Sequence, residues 1–161
     1  MIKQFVTEEF CLKCRGCCRF SGQDSVWGPA LLKEERGGRP FAKAQTCEGK
    51  IALLKNSQEG DFVCPFFNPG INQCKIYPSR PFECQLYPFL INRQGNKAFL
   101  AADFNCPFMK ENFQTPSFKE YVFFLSGYLN SPYFRGVFGN NPGLAQTYEG
   151  VSNLCELSLV L

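Results

Sequence analysis

Four cysteines crowd into eight positions at CLKCRGCC, residues 11–18. Cys11, Cys14 and Cys17 repeat with two intervening residues, the spacing that opens bacterial ferredoxin cluster motifs; C-x-x-C pairs also serve zinc. A tight loop with this spacing lets successive thiolates converge on one centre while backbone amides turn toward sulfur. Gly16 eases such a turn. The spacing therefore points to a metal and leaves its identity open. Cys18 directly follows Cys17, and adjacent side chains of an extended segment point to opposite sides. Cys11, Cys14 and Cys17 are thus candidates for one centre and Cys18 for a second. Downstream cysteines are available to complete both: Cys64-Pro65, Cys74, Cys84 within RPFEC, and Cys106-Pro107. Proline after cysteine stiffens the chain and brings no N–H to satisfy.

Two other uses of thiols fit less well. Ten cysteines in 161 residues is about 6%, below the roughly 8–10% of short disulfide scaffolds. A Cys17–Cys18 bridge would close a strained ring. Buried structural cysteine suits Cys47 and Cys155, which stand apart from any cysteine pattern. It does not suit residues 11–18, which also carry Lys13 and Arg15. The chain has no histidine, which removes the usual general base, the Cys–His nucleophile pair and mixed Cys/His zinc sites. Any metal should be held by thiolate. Eight thiolates exceed the four that one zinc or one four-iron cluster takes, so they suit two sites or one multinuclear cluster.

Four thiolates leave each such site near −2 in charge, and Lys13, Arg15, Arg19, Lys75 and Arg80 lie beside the cysteines to offset it. Arg80, between Ser79 and Pro81, is the best placed to donate toward sulfur or a carboxylate. Lys13 and Lys75 read as solvated charges. Phe10, Phe20, Phe66, Phe67, Tyr77, Tyr87, Phe89 and Phe108 sit within a few residues of a motif cysteine. They serve either as a shell that excludes water from the sulfurs or as ordinary core.

Together, CLKCRGCC, CPFF, CKIYPSRPFECQLYP and NCP resemble the YkgJ-type cysteine-cluster family, a zinc- or iron-chelating domain with the C-x-x-C-x-x-C-C hallmark. The resemblance runs from about Phe10 to Pro107. It implies eight recurrent ligand positions, here Cys11, Cys14, Cys17, Cys18, Cys64, Cys74, Cys84 and Cys106. A similar domain occurs in bacterial flagellin lysine methylases associated with an iron–sulfur cluster. No Gly-rich methyl-donor loop follows a strand in this chain.

The elements that must position these residues read as a small, irregular α+β domain with short hairpins. One domain of 161 residues is expected, with a cysteine-cluster region at about 10–108 and a helical C-terminal extension at about 115–161. Asp24 or Ser25 can cap a helix through Trp27, Leu31 and Leu32 that ends at Gly37-Gly38 and Arg39-Pro40. Residues 50–55 and 61–66 read as strands joined by the turn NSQEG. Residues 71–88 read as turns with at most a short helix. A second hairpin is expected over 88–93 and 97–103, turning at Gln94-Gly95-Asn96. The clearest helix opens at Thr115-Pro116, with Ser117 and Glu120 as an alternative capping box. It places Phe118, Tyr121, Val122, Leu125 and Leu129 on one face, with Phe123 and Phe124 extending the apolar surface. LCELSLVL at the end is ambiguous between strand and helix.

The functional expectation is a metal-binding protein holding iron–sulfur, slightly favoured, or zinc, for metal handling or redox. One alternative is a structural zinc module offering a protein partner the 116–129 helix. Another is an iron–sulfur enzyme or an accessory to a protein methylase, although no acid–base pair or nucleophile constellation is visible. A net charge of +3 gives no reason to expect a nucleic-acid partner. No apolar run approaches the roughly 18 residues of a membrane span. MIKQFVTEEF lacks the apolar stretch of a signal peptide, so a cytoplasmic location is expected, where thiols stay reduced.

Overall fold

The computed structural model describes residues 2–14, 16–47, 49–56 and 60–161. Arg15 and most of the NSQEG turn lie outside them. Helices and strands mix in an α+β chain that clusters into two compact units. The first is Met1–Ile2 with Val6–Gln85; the second is Lys3–Phe5 with Leu86–Leu161.

In the first unit, helix α1 (Glu8–Lys13) is followed by two-residue strands: β1 (Arg19–Phe20), β2 (Thr46–Cys47), β3 (Lys50–Ile51), β4 (Leu54–Lys55), β5 (Phe62–Val63), β6 (Phe67–Asn68) and β7 (Gln73–Cys74). A short helix, α2 (Phe82–Leu86), closes it. The strands pair antiparallel as β1-β5-β4, β2-β3 and β6-β7. The expected 50–55/61–66 hairpin is thus split. Only Leu54–Lys55 meets Phe62–Val63, while Lys50–Ile51 turns to Thr46–Cys47.

No helix forms after Asp24. Pro29 cannot continue one, and the backbone there finds distant partners instead. Ala30 bridges Lys50 and donates its N–H to Glu83 Oε2, while the Leu31 N–H reaches Gly49 O at 2.9 Å. Two small cores result. One joins Phe20, Leu53, Val63, Cys64 and Phe67; the other joins Leu31, Phe41 and Ile51.

The second unit is built on longer strands, β8 (Phe89–Gln94) and β9 (Lys97–Ala102). They form the expected hairpin, with Gln94 opposite Lys97 across Gly95-Asn96. Gly95 has φ 63°, a conformation that suits glycine at the first central position of a II′ turn. Helices α3 (Pro107–Asn112), α4 (Pro116–Leu129) and α5 (Pro132–Asn140) follow. Thr115 caps α4 by accepting the Phe118 N–H at 3.2 Å, so Thr115 rather than Ser117 is the cap. Ser131-Pro132 repeats that logic for α5, with the Phe134 N–H on Ser131 Oγ at 3.2 Å.

The extension is not wholly helical. Residues 145–146 form β10 and Ser152–Leu157 form β11, giving a four-stranded sheet ordered β10-β8-β9-β11. The ambiguous tail becomes a strand because it lies antiparallel on β9, with a register shift between Asn153 and Cys155. Phe89, Ile91, Leu100, Met109, Leu125, Leu129, Phe134 and Phe138 fill the core of this unit. Among the described residues, no helix is long and apolar enough to cross a membrane.

Candidate metal centre

Thr7-Glu8-Glu9 starts α1. Thr7 Oγ1 accepts the Phe10 N–H at 3.4 Å, with acidic residues in the first turn and Lys13 in the last. Cys11 lies on this helix and Cys14 is its C-cap, so the 11–17 segment is not the continuous chelating loop that its spacing suggests. The Thr-Glu-Glu signal for this helix was present in the sequence. Gly16–Cys18 then forms a turn, closed by the Arg19 N–H on Gly16 O at 3.4 Å. Cys17 and Cys18 are therefore in a turn rather than in extended chain.

Pairing of short strands brings the next thiols in. β1 and β5 pair, and the Cys64 N–H bonds Cys18 O at 3.2 Å. A turn from Cys64 leads into β6, whose Phe67 lies opposite Cys74 on β7. Cys84 rides on α2. Seven motif cysteines thus share the first unit, and the side chains of Cys11, Cys14, Cys17, Cys18, Cys64, Cys74 and Cys84 interact through hydrogen bonds or charge.

Donors are aimed at three of these sulfurs. Cys64 accepts backbone N–H groups from Phe66 and Phe67, and Cys74 accepts one from Ile76. Arg80 Nη1 stands 3.7 Å from Cys11 Sγ, and its guanidinium lies 3.8 Å from the centre of the Tyr77 ring. Tyr77 also hydrogen-bonds with Cys11. Burial pushes the Tyr77 phenol up to about 12, with the Cys11 hydrogen bond adding to it.

The thiols push one another up as well. Burial is the largest cause for Cys18, at about 12, with Cys64, Cys74 and Cys11 adding and Arg80 opposing. Burial raises Cys64 to about 11, against the pull of the Phe66 amide. Burial also raises Cys74, and raises Cys84 far above its ordinary value, with Cys64 and Cys18 adding in the latter. Cys17, the exposed member, is raised first by its hydrogen bond with Cys14.

Gathered thiols raise one another in this way because each thiolate would add negative charge to the same small volume. A metal ion would reverse it, since a coordinating thiol is deprotonated by the metal's own charge. Among the described residues, no three Cys, Asp or Glu side chains close around one point as a ready-made ion site. The fit therefore rests on the chemistry of the donor set: thiols in one unit, with amide and guanidinium donors on sulfur, and hence soft ligands for zinc or iron–sulfur.

Of the other charges near the motif, Lys13 and Arg19 are paired with carboxylates. Lys13 pairs with Glu9 on the surface at 2.6 Å. Arg19 pairs with Asp61 at 3.2 Å and lies over the Phe67 ring. Lys75 draws the Cys64 thiol down. Two supporting residues escaped the sequence reading. Asn72, at φ 53°, donates Nδ2 to Cys14 O at 3.1 Å; asparagine tolerates that left-handed backbone. Glu35 accepts the Leu32 and Phe82 N–H groups at 2.9 and 2.8 Å, and so fixes the start of α2 below Cys84. Burial raises the Glu35 carboxyl above the ordinary carboxylate range. Glu35 stands outside every motif, and only folding reveals its link to Phe82 of the RPFEC motif.

Cys106 belongs to the second unit, where it is buried and caps α3. Its N–H meets Asp103 O at 3.3 Å, and the buried Asp103 carboxylate accepts the Tyr87 hydroxyl and the Asn105 N–H, both at 2.8 Å. The Tyr87 hydroxyl thus donates to a carboxylate. Cys155 is half-buried on β11. Of the aromatics near the motifs, Phe20 and Phe67 pack with Cys64, while Phe89 and Phe108 pack on Phe5 in the second unit.

No solved structure matches the chain. A "Putative ferredoxin" of Acinetobacter calcoaceticus is 27% identical over 104 residues, covering 63% of this chain and 80% of that protein. The CxxCxxCC family model, described as "Putative zinc- or iron-chelating domain", matches residues 10–107. That span takes in all eight motif cysteines and more than half of the chain, and the chain accordingly belongs to the CxxCxxCC family of metal-chelating domains.

Proposed function

We propose that this protein holds iron–sulfur, in preference to zinc, on its motif cysteines and serves metal handling or redox in the cytoplasm. The ligands are drawn from Cys11, Cys14, Cys17, Cys18, Cys64, Cys74 and Cys84, with Cys106 as the eighth motif thiol. The observation that carries this reading is the set of donors already directed at sulfur: two amides on Cys64, one on Cys74, and Arg80 with Tyr77 on Cys11. Such donors stabilise thiolate over thiol and tune a bound centre. Iron–sulfur is favoured by the ferredoxin-type Cys11/Cys14/Cys17 spacing, by the Cys-Pro pairs and by the ferredoxin-named relative. When bound, the group supplies one-electron exchange if it is a cluster, and structural cross-linking if it is zinc.

The cysteines divide between two centres in this reading. Cys14 and Cys11 act most strongly on Cys17, and Cys64 and Cys74 on Cys18, although Cys11 also reaches Cys18 and Cys18 reaches Cys17. A structural zinc module that docks a protein partner is the second reading. It is favoured by Phe123, 84% exposed on α4. Anaerobic purification with metal analysis and a visible spectrum tests both. Iron with acid-labile sulfide and a brown colour is expected. A colourless protein with about two zinc per chain would favour the second reading. Metal-free protein with every thiol reduced would reject both.

A further inference from the structure

The Cys14 and Cys17 side chains stand apart from the other thiols in how they meet. Cys17 hydrogen-bonds directly with Cys14. Cys14 Sγ folds back over the turn, so that a Cβ placed on Gly16 would lie 3.9 Å from it, in ordinary contact. Cys17 is exposed, while Cys14 is half-buried and Cys64 is buried. Cys18, although adjacent in sequence, is engaged with Cys64, Cys74 and Cys11 and packs against the Phe20–Val63–Cys64 core. A bridge from Cys17 to Cys18 would also need a strained small ring. The sulfur of Cys11 is occupied by Arg80 and Tyr77. An exposed thiol in direct contact with a second thiol has a resolving partner already in place, so a sulfenic acid formed on it closes to a disulfide there.

We infer that Cys14–Cys17 is an oxidative modification site, forming the first disulfide when the protein meets a peroxide. The step balances without further reagents. Cys17 sulfur attacks the peroxide, breaking the O–O bond and releasing water to give a sulfenic acid. Cys14 sulfur then attacks that sulfur and expels the hydroxyl as a second water. Two thiols lose two electrons and two protons, and hydrogen peroxide takes up both. The consequence for bound metal rests on the function proposed above: loss of two ligands from the Cys11/Cys14/Cys17 group releases its metal, and a dithiol reductant restores the site.

The test is peptide mapping of the full-length, anaerobically purified protein after graded hydrogen peroxide, with alkylation of the remaining thiols and parallel metal analysis. Trypsin cleaves after Lys13, Arg15 and Arg19, so the bridge links Cys14-Arg15 to Gly16–Arg19. Because the latter peptide holds both Cys17 and Cys18, Cys17→Ser and Cys18→Ser are run beside the wild type. The linked peptide is expected as the first product in wild type and in Cys18→Ser, and to disappear in Cys17→Ser. Persistence in Cys17→Ser, an earlier bridge involving Cys11 or Cys84, or an intermolecular bridge as first product would overturn the inference. Mapping decides this even if the protein carries no metal, an outcome that would reject the proposed function alone. Bound metal that survives quantitative Cys14–Cys17 bridging would sever the link between the modification and occupancy.

Discussion

Arg80 turns one N–H toward Cys11 while its guanidinium plane covers Tyr77. A planar fork can do both at once, and a lysine ammonium cannot. Outer residues of this kind typically contribute 10–100-fold in metal affinity. Arg80→Ala is therefore expected to weaken metal retention by roughly 10–100-fold in competition with a chromophoric chelator, and Arg80→Lys to restore little of it. Unchanged retention in both variants would remove Arg80 from the centre. Cys18 is the residue that tests the division of ligands. Cys64 and Cys74 weigh on it more than Cys11 does, whereas Cys17 responds first to Cys14 and then to Cys11, with Cys18 last. Metal content should fall by about half in Cys18→Ala under the two-centre reading. Complete loss would mean that one linked cluster holds all the metal.

Among the elements, α4 shows how a local signal and a buried face agree. Thr115-Pro116 starts it, and Phe118, Tyr121, Leu125 and Leu129 are its buried residues. Tyr121 donates its hydroxyl to Lys3 O at 2.7 Å, and burial pushes its phenol from 10.0 up to about 12. The folded form keeps this proton where the unfolded chain begins to lose it. Its contribution to stability is thus complete below about pH 10 and is lost as pH rises through about 12. The difference corresponds to roughly 2–3 kcal/mol. Urea unfolding as a function of pH should show stability falling over that window, with a shallower fall in Tyr121→Phe. The variant should also be about 1 kcal/mol less stable below the window, from the lost hydrogen bond. Equal slopes for the two proteins would assign the alkaline loss to other groups.

At the scale of the whole molecule, the two units differ in what holds them. The second rests on six-residue strands in a four-stranded sheet over fully buried Phe, Leu and Met side chains. The first relies on two-residue strands and two small cores. A small core backed by metal is the case in which ligation contributes folding free energy. Removing metal by chelation should therefore raise amide hydrogen exchange over residues 8–20 and 62–76 while residues 89–102 keep their protection. Uniform exchange along the chain, before and after chelation, would show that metal does not support the first unit.

What the sequence determined by itself was the chemistry and the strongly local structure. Cysteine spacing identified the family and the thiol set, because closely spaced thiols such as Cys11, Cys14 and Cys17 can converge on one centre within a short local segment. The β8–β9 turn and the α4 cap were legible because Gly95, Thr115 and Pro116 act on their own backbone. Tertiary structure decided what depends on distant partners. Residues 24–36 have a plausible cap and apolar spacing, yet Ala30 and Leu31 donate their N–H groups to Glu83 Oε2 and Gly49 O instead of building a helix. The tail becomes a strand only through β9. Glu35 supports Phe82, Arg80 faces Cys11 and Tyr87 donates to Asp103, each pairing set by where the chain folds back. A residue type states which bonds it can make; the fold alone decides which partner comes within reach.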